Sequence, residues 1–585
     1  MERWRLEIPP CPPAATARLR RELSVSDALA QALVRRGLGE PARARAFLDA
    51  DEEHDPGSFE GISAAVASVA RHLDEGGRIT VHGDYDVDGV CSTALLVTAL
   101  RRLGGDVDWY LPDRAGDGYG LSAATIRRLA ARGTSLLVSV DCGIGAVDEV
   151  QAALALGMEV VITDHHTPRG DGVLPRAPVV HPGVCGYPCR DLCATAVAYK
   201  LAQALYEARG RDTAELEAEL DLVALATIAD VVPLLGENRT LAVRGLRRLE
   251  GTARPGLRAL MDVARVVPGK AGERAVAFAL APRLNAAGRL YRADAALELL
   301  LTGDPRRAEQ VARELDSANR ERQDIERSIR HQAEAQMDEL GEREAYVLSG
   351  EGWHAGVIGI VASRLVERSG RPVVMVALDG DDGRASGRSI DAFDLLGGLR
   401  ACSQHLRRFG GHRVAAGMEI ARAELAAFSN ALCSHARTVL PAGELHAVER
   451  VDAVVRVGEV DMALAEELES LAPFGRANPR VTLLVEGATF AGTRPMGQGR
   501  HARFNVSAGA AAARAVAFGC DGRLPVADGE PVQATFTLEI NEWNGVCEPR
   551  LVLRRARAAE QPAAEAAPRR RGEREGQQEL ALFAV

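Results

Sequence analysis

His82-Gly83-Asp84-Tyr85-Asp86-Val87-Asp88-Gly89 closes a short apolar run, Ile79–Gly83, that reads as a β-strand. In an extended chain, residues two apart share a face, so Asp84, Asp86 and Asp88 are expected to point together. Three clustered carboxylates repel one another unless cations lie between them. Taken alone, such a run is as readily a solvated acidic loop. It also opens like a calcium-binding EF-hand, but that loop needs a glutamate at its twelfth position, where this chain has Leu95. The EF-hand is excluded.

Working outward, the pattern is β-α-β repeated from about Arg78 to Pro182. Strand-like runs fall at Ile79–Gly83, Val107–Leu111, Leu136–Val140, Val160–Thr163 and Val179–Val180, with helical stretches of Ala, Leu and Arg between them. Alternation of that kind implies a parallel sheet. Acidic and histidine clusters follow these strands: Asp84 to Asp88, Asp141-Cys142-Gly143, and Asp164-His165-His166. Asp230, inside the apolar run Ala226–Val232, is a further candidate and is assigned to the same kind of strand end. Open α/β sheets place their ligands at the carboxyl ends of the strands. Carboxylates joined by one or two imidazoles suit Mn²⁺ or Mg²⁺ better than a thiolate-seeking metal. Two such ions a few ångströms apart activate water and stabilise a leaving oxygen, so the expected chemistry is phosphoester hydrolysis.

The remaining chain divides by composition. Residues 1–55 read as an N-terminal helical segment and 56–303 as the α/β domain that carries the acidic clusters. Residues 304–340 form a long charged helix with sparse apolar positions (Val311, Leu315, Ile325, Ile329), as expected of a bridge between domains. A second α/β domain spans 341–445, with a strand at Pro372–Leu378. Short strands at Thr482–Val485, Phe504–Val506, Thr535–Ile540 and Arg550–Leu553 make 446–558 a small β-barrel. The tail, 559–585, is Ala, Glu, Pro and Arg, a composition expected to be disordered.

Bulk properties exclude several classes. The formal net charge of −10 argues against nucleic-acid binding only globally, because phosphate binding is local and metal-filled carboxylates are no longer negative. The only lysines are Lys200 and Lys270, and neither lies in a Gly-Lys-Ser/Thr sequence, so a P-loop ATPase is excluded. The start, Met1-Glu2-Arg3-Trp4, leads into a Pro-rich stretch and no secretory signal is expected. No apolar run reaches membrane-spanning length, the best being broken by Asp230, so no membrane association is expected. Ten scattered cysteines are expected to be reduced thiols in the cytoplasm. Three of them, Cys185, Cys189 and Cys193, have a spacing that fits no zinc or iron–sulfur pattern.

Asp164-His165-His166 together with His82–Gly89 resembles the DHH phosphoesterase superfamily. The resemblance extends from about Gly37 to Leu553 and is specific to its RecJ branch: Pro282-Arg283-Leu284-Asn285-Ala286-Ala287-Gly288-Arg289, Trp353-His354-Ala355-Gly356-Val357-Ile358-Gly359-Ile360, Ser386-Gly387-Arg388-Ser389 and Phe409-Gly410-Gly411-His412 all match its signature. In the region read as barrel, Ala472-Pro473-Phe474-Gly475, Asn478-Pro479 and Asn541-Glu542-Trp543-Asn544-Gly545 resemble its OB-fold domain. The implied architecture is a parallel-sheet DHH domain, a long connecting helix, a DHHA1-like substrate-binding domain and a C-terminal OB-like barrel.

The resemblance implies roles by residue. Asp84, Asp86, Asp88, Asp141, His165 and Asp230 match the ligands of two Mn²⁺ or Mg²⁺ ions, with His166 beside them and Asp164 orienting a histidine. Arg114, Arg289, Ser386 and Arg388 match a pocket for the 5′-terminal phosphate, and His412 a substrate-phosphate contact. The implied activity is single-stranded-DNA-specific 5′→3′ exonucleolysis releasing 5′ mononucleotides, in DNA recombination and repair. Implied partners are single-stranded DNA, single-strand binding protein and a helicase. Phe490, Phe504, Phe518 and Trp543 are candidates for base stacking, though their spacing suits barrel core better. The terminal Gln578-Glu579-Leu580-Ala581-Leu582-Phe583-Ala584-Val585 resembles peptides that dock on the sliding clamp. Cys193-Ala194-Thr195-Ala196 departs from the family's glycine-bearing pattern and reads as helix packing without functional consequence. Sister DHH enzymes acting on oligoribonucleotides, cyclic dinucleotides or 3′-phosphoadenosine phosphates are the nearest alternative, but they lack the terminal barrel. A non-catalytic scaffold on this fold is disfavoured because no motif ligand is lost.

Overall fold

Both faces of the first sheet are buried, which is why its strands read as unbroken apolar runs. A computed structural model describes residues 4–113, 118–440, 447–543 and 545–559. Arg114, Asn544 and the Gln578–Val585 segment lie outside the described residues. Strands β1 (Ile79–His82), β2 (Val107–Tyr110), β3 (Leu136–Val140), β4 (Glu159–Thr163) and β5 (Val179–Val180) form a parallel sheet in the order β2-β1-β3-β4-β5. On one face Val81, Val138 and Val161 pack under helices α1 (Val87–Arg102), α2 (Ala194–Ala208) and α3 (Leu220–Ala229). On the other, Leu137, Val160 and Ile162 meet Ile126, Leu129 and Val150. Each strand that carries a cluster ends immediately before it, as the alternating pattern predicts.

After α4 (Ala281–Leu290), α5 (Pro305–Leu340) is a single helix of 36 residues, about 54 Å long at 1.5 Å per residue. Asp304 caps it, its carboxylate accepting the N–H of Arg306 (2.9 Å). The first half buries Val311, Ala312 and Leu315 in the first core, and the second half buries Ile329, Ala333 and Met337 under a second sheet. The sparse apolar positions thus serve two cores in turn.

The second sheet has the order β9-β10-β8-β7-β6, from β6 (Tyr346–Glu351), β7 (Val373–Asp379), β8 (Asp382–Arg388), β9 (Arg408–Gly411) and β10 (Ala415–Ala421). Only β6 and β7 run parallel, joined through helix α6 (Ile358–Ser369). Along β7, Val373, Met375 and Ala377 face α5 and α6, while Val374, Val376 and Leu378 join a core with Leu395, Phe428 and Leu432.

The chain forms two compact units. One comprises Glu40–Val448 and Ser470–Arg480 with the first few residues, and the other Glu7–Gly39, Glu449–Glu469 and the chain from Val481. The second unit holds a closed five-stranded barrel: β12 (Leu483–Met496), β13 (His501–Ala508), β14 (Ala511–Ala517), β16 (Val546–Ala558) and β15 (Pro531–Trp543), with β15 returning to pair with β12. β11 (Ala453–Val455) adds parallel to β12. Phe490 and Phe504 are buried barrel core, as their spacing suggests, whereas Phe518 is half exposed.

Two assignments from sequence shift. Residues 1–55 were expected as one segment, yet 7–39 pack with the barrel: Ala28, Leu29, Ala32 and Leu33 are buried, and Arg36 makes a two-pronged pair with Asp452 (both 3.0 Å). Phe474-Gly475 and Asn478-Pro479, read as barrel, belong to the first unit, where Leu234 N–H donates to Arg476 O (2.9 Å) and Asn478 caps Leu471 O and Pro473 O.

Candidate metal centre

The parallel strands deliver three of the four clusters. Asp84 lies two residues past β1, Asp141 one past β3, and Asp164 to His166 directly after β4. Asp141 adopts a left-handed backbone (φ 61°), a conformation aspartate tolerates better than most residues, and its carboxylate is buried. The fourth contribution differs from expectation. Asp230 is the C-terminal cap of α3, not a strand end, because α3 is buried all round and its continuous apolar run has no helical stripe to betray it.

The chain also does not stay extended through Asp88. Asp86 caps α1, its Oδ1 accepting the N–H groups of Asp88 (3.0 Å) and Gly89 (3.2 Å), so Asp88 sits in the first helical turn. Free N–H groups at a helix start attract a carboxylate, and that preference ends the strand here. A strand-to-helix turn therefore aims the three carboxylates. The turn requires Gly89, whose added Cβ would lie 2.5 Å from the backbone nitrogen of Asp84. Val87 N–H donates to Asn285 Oδ1 (3.1 Å), which ties the turn to α4.

The donors converge. His165 Nε2 lies 3.2 Å from Asp141 Oδ1, 3.7 Å from Asp88 Oδ2 and 3.8 Å from Asp230 Oδ2. Three groups have donor atoms within 4.8 Å of one another: Asp84, Asp86 and Asp141; Asp88, His165 and Asp230; Asp141, His165 and His166. Burial raises the Asp141 carboxyl well above the usual range, and Asp88, Asp86 and Asp84 raise it further. Burial likewise lifts Asp230, and with Asp88 and Asp86 carries it to about 8. Carboxylates this crowded suit divalent cations between them. Burial lowers His165, favouring the neutral ring that ligates metals. The donor set is oxygen-rich with imidazole, the chemistry of Mn²⁺ and Mg²⁺ sites. No cysteine joins such a group among the described residues, Cys185, Cys189 and Cys193 included.

Asp164 stands behind the cluster. Its Oδ1 accepts from His166 Nδ1 (2.9 Å) and from the N–H groups of His165 (2.7 Å) and His166 (3.1 Å), and its Oδ2 from Ile144 N–H (2.9 Å). Against the upward pull of burial, these bonds hold Asp164 at about 2; against the downward pull of burial, Asp164 lifts His166 to about 9. The two form a charged pair.

Three supports escaped the sequence reading. Tyr119, half exposed, donates its hydroxyl to Asp141 O (3.1 Å) and stands 3.0 Å from His166 Nδ1. His181 Nδ1 accepts from Gly183 N–H and Val184 N–H, so Nε2 carries the proton and donates to His166 O (2.7 Å). The N-terminus of α2 grips Asp88: Ala194 N–H donates to Oδ2 (2.7 Å), and Thr195 N–H to Oδ1 (2.8 Å). The Cys193–Ala196 segment thus touches the centre and is not mere helix packing.

Of the expected phosphate-binding residues, three gather at the start of α6. Arg388 donates to Ser386 Oγ (3.0 Å), and both crowd Gly359 so closely that a Cβ there would lie 2.9 Å from Ser386 Oγ. Arg289 donates to Gly356 O (3.2 Å). His412 is exposed in the turn between β9 and β10, where Ser389 N–H bonds Val414 O (2.9 Å). Beside Asp230 opens a cavity of about 1020 Å³, lined by eight arginines, including Arg274, Arg289, Arg330, Arg364, Arg476 and Arg480, against two glutamates. Phe278 projects there, 77% exposed.

A parallel sheet with this carboxylate and histidine constellation, joined to a second α/β domain, defines a DHH-type phosphoesterase. Residues 78–227 match the model of the DHH family, N-terminal domain, 343–437 that of the DHHA1 domain, and 451–555 that of the RecJ OB domain. The chain is 37% identical over 570 residues to the single-stranded-DNA-specific exonuclease RecJ of Bacillus subtilis, covering 95% of this chain and 71% of that one. The crystal structure of RecJ from Thermus thermophilus in complex with Mn²⁺ superposes with a TM-score of 0.85 at 32% identity, over 96% of this chain and 80% of that one. The Mg²⁺ complex of the same protein gives 0.79 at 31% identity, over 96% and 79%. The chain belongs to the RecJ family of exonucleases.

Proposed function

We propose that this chain degrades single-stranded DNA from its 5′ end, releasing 5′ mononucleotides by hydrolysis with two Mn²⁺ or Mg²⁺ ions. The observation that carries this reading is the convergence of Asp84, Asp86, Asp88, Asp141, His165 and Asp230 on one centre. Asp84, Asp86 and Asp141 are assigned to one ion, and Asp88, His165 and Asp230 to the other. When bound, the ions supply an activated water and offset charge at the phosphorus. Asp164 fixes His166 through Nδ1, which leaves its other ring nitrogen for a substrate phosphate oxygen. Arg289, Ser386 and Arg388, with Arg114, hold the terminal phosphate, since forked guanidiniums suit a phosphate dianion. His412 contacts a substrate phosphate.

The arginine-lined cavity suits an incoming strand, with Phe278 as a stacking platform that needs an unpaired base. The barrel, matched to the RecJ OB domain, is assigned to single-strand binding. Recombination and repair are the proposed setting, in the cytoplasm, where ten free cysteines stay reduced. No helix among the described residues is long and apolar enough to cross a membrane. Single-strand binding protein, a helicase and, through Gln578–Val585, the sliding clamp are proposed partners; unchanged clamp affinity after deletion of Leu580–Val585 would exclude the last.

The test is single-stranded DNA with a 5′ phosphate, labelled at either end and incubated with Mn²⁺. Immediate release of labelled mononucleotide from the 5′-labelled strand, with blunt duplex spared, supports the reading. Loss of the 3′ label first reverses the polarity, and cleavage confined to short oligoribonucleotides replaces the substrate.

A further inference from the structure

Asp88 is 2% exposed, and both of its carboxylate oxygens are held by one short piece of chain. Oδ2 accepts the N–H of Ala194 (2.7 Å); Oδ1 accepts the N–H of Thr195 (2.8 Å) and its hydroxyl (2.6 Å). Thr195 Oγ1 also lies 3.0 Å from the Asp88 carbonyl oxygen, so a single hydroxyl spans side chain and backbone of the same residue. Thr195 itself is fully buried. These groups open α2, a helix of 15 residues, whose positive end favours a carboxylate. The far side of the same carboxylate turns to the centre, with Oδ2 3.7 Å from His165 Nε2 and within the group formed with His165 and Asp230.

We infer that Thr195 is a positioning residue of the metal centre, its hydroxyl fixing the Asp88 carboxylate in the orientation that lets it serve an ion together with His165 and Asp230. This rests on the reading of the cluster as a metal site. The backbone N–H groups of Ala194 and Thr195 each reach one carboxylate oxygen. The hydroxyl adds the short charge-assisted bond, of the kind that locks a rotamer. As the second residue of α2, Thr195 has no carbonyl of its own helix four residues back, and its hydroxyl turns instead to Asp88.

The test measures Mn²⁺ binding to the full-length protein, from the electron paramagnetic resonance signal of free Mn²⁺, for wild type, Thr195→Val, Thr195→Ser and Asp88→Asn. Unfolding midpoints in chelator report folding independently. Valine keeps the volume and the N–H but removes the hydroxyl, and is expected to weaken Mn²⁺ binding roughly tenfold, as loss of a hydrogen-bond support to a ligand does. Serine restores the hydroxyl and is expected to stay within about twofold of wild type. Unchanged affinity in Thr195→Val, with Asp88→Asn weakened, overturns the inference and leaves the metal reading standing. Absence of Mn²⁺ binding by wild type overturns the metal reading and the inference with it, whereas full binding by Asp88→Asn removes Asp88 as a ligand and overturns the inference alone. If the valine variant does not fold, Thr195→Ala carries the same expectations.

Discussion

His165 Nε2 stands 3.2 Å from Asp141 Oδ1, joining the turn after β4 to the turn after β3 across the carboxyl edge of the sheet. Neighbouring parallel strands put these two residues side by side, and Asp88 and Asp230 close on the same nitrogen. Asp141 belongs to the group assigned to one ion and abuts His165 of the group assigned to the other. Removing it should therefore disable both ion positions. Asp141→Ala is expected to lose more than about a hundredfold of nuclease activity, beyond what loss of an outer support costs. Its fold should persist, because the change relieves crowded charge; circular dichroism with a steady-state nuclease assay checks both.

Protonation of the centre in chelator-treated protein predicts a pH signature. Asp230 keeps its proton up to about 8 in the folded, metal-free chain, against 3.8 ordinarily. The folded state then binds more protons than the unfolded one between those values, so metal-free stability should fall as pH rises across them. Mn²⁺ affinity should rise over the same window, with protons released on binding. Calorimetry in buffers of different ionisation enthalpy reads the release directly; binding heats independent of buffer contradict the prediction.

Arg388 and Ser386 at the start of α6 should set the preference for a phosphorylated 5′ end. Arg388→Ala is expected to weaken use of 5′-phosphorylated DNA roughly tenfold, one charge-assisted bond to a phosphate being lost. Substrate with a 5′ hydroxyl should change little. Paired kcat/KM values on the two substrates test this, and equal losses on both place Arg388 outside the end-binding pocket.

The arginines of the cavity should act through charge. Arg476→Ala and Arg480→Ala are each expected to reduce the slope of log affinity against log salt by about 0.7, the single-strand value for one phosphate contact. Phe278→Ala should weaken binding without altering that slope, by about 1–3 kcal/mol if it stacks one base. Fluorescence anisotropy across a salt series separates the two kinds of contact.

Much of this was legible in the sequence for a physical reason. Doubly covered parallel strands are continuous apolar runs, so their ends are sharply marked, and Asp84, Asp141 and Asp164 to His166 stand directly at those ends. What was hidden lies where local pattern and tertiary role part. Asp88 looked like a strand residue because alternation continues into the first helical turn. Asp230 follows a helix buried on all sides, which has no stripe. Thr195, Tyr119 and His181 reach the centre through hydrogen bonds across 15 to 107 residues, a relation no spacing announces. The cavity arginines are dispersed from Arg274 to Arg480 and resemble any solvated surface until the fold collects them. Phe474 to Pro479 resembles the OB-fold domain in sequence and so was read as barrel, yet it packs in the first unit.

The most direct test of the metal centre is anomalous diffraction from crystals of the full-length protein equilibrated with Mn²⁺, collected for wild type and Asp141→Ala. The account predicts two anomalous peaks in the wild type, one bounded by Asp84, Asp86 and Asp141 and one by Asp88, His165 and Asp230, with both weakened or lost in the variant. A wild-type map with no peak at these residues, or with peaks that Asp141→Ala leaves intact, contradicts it.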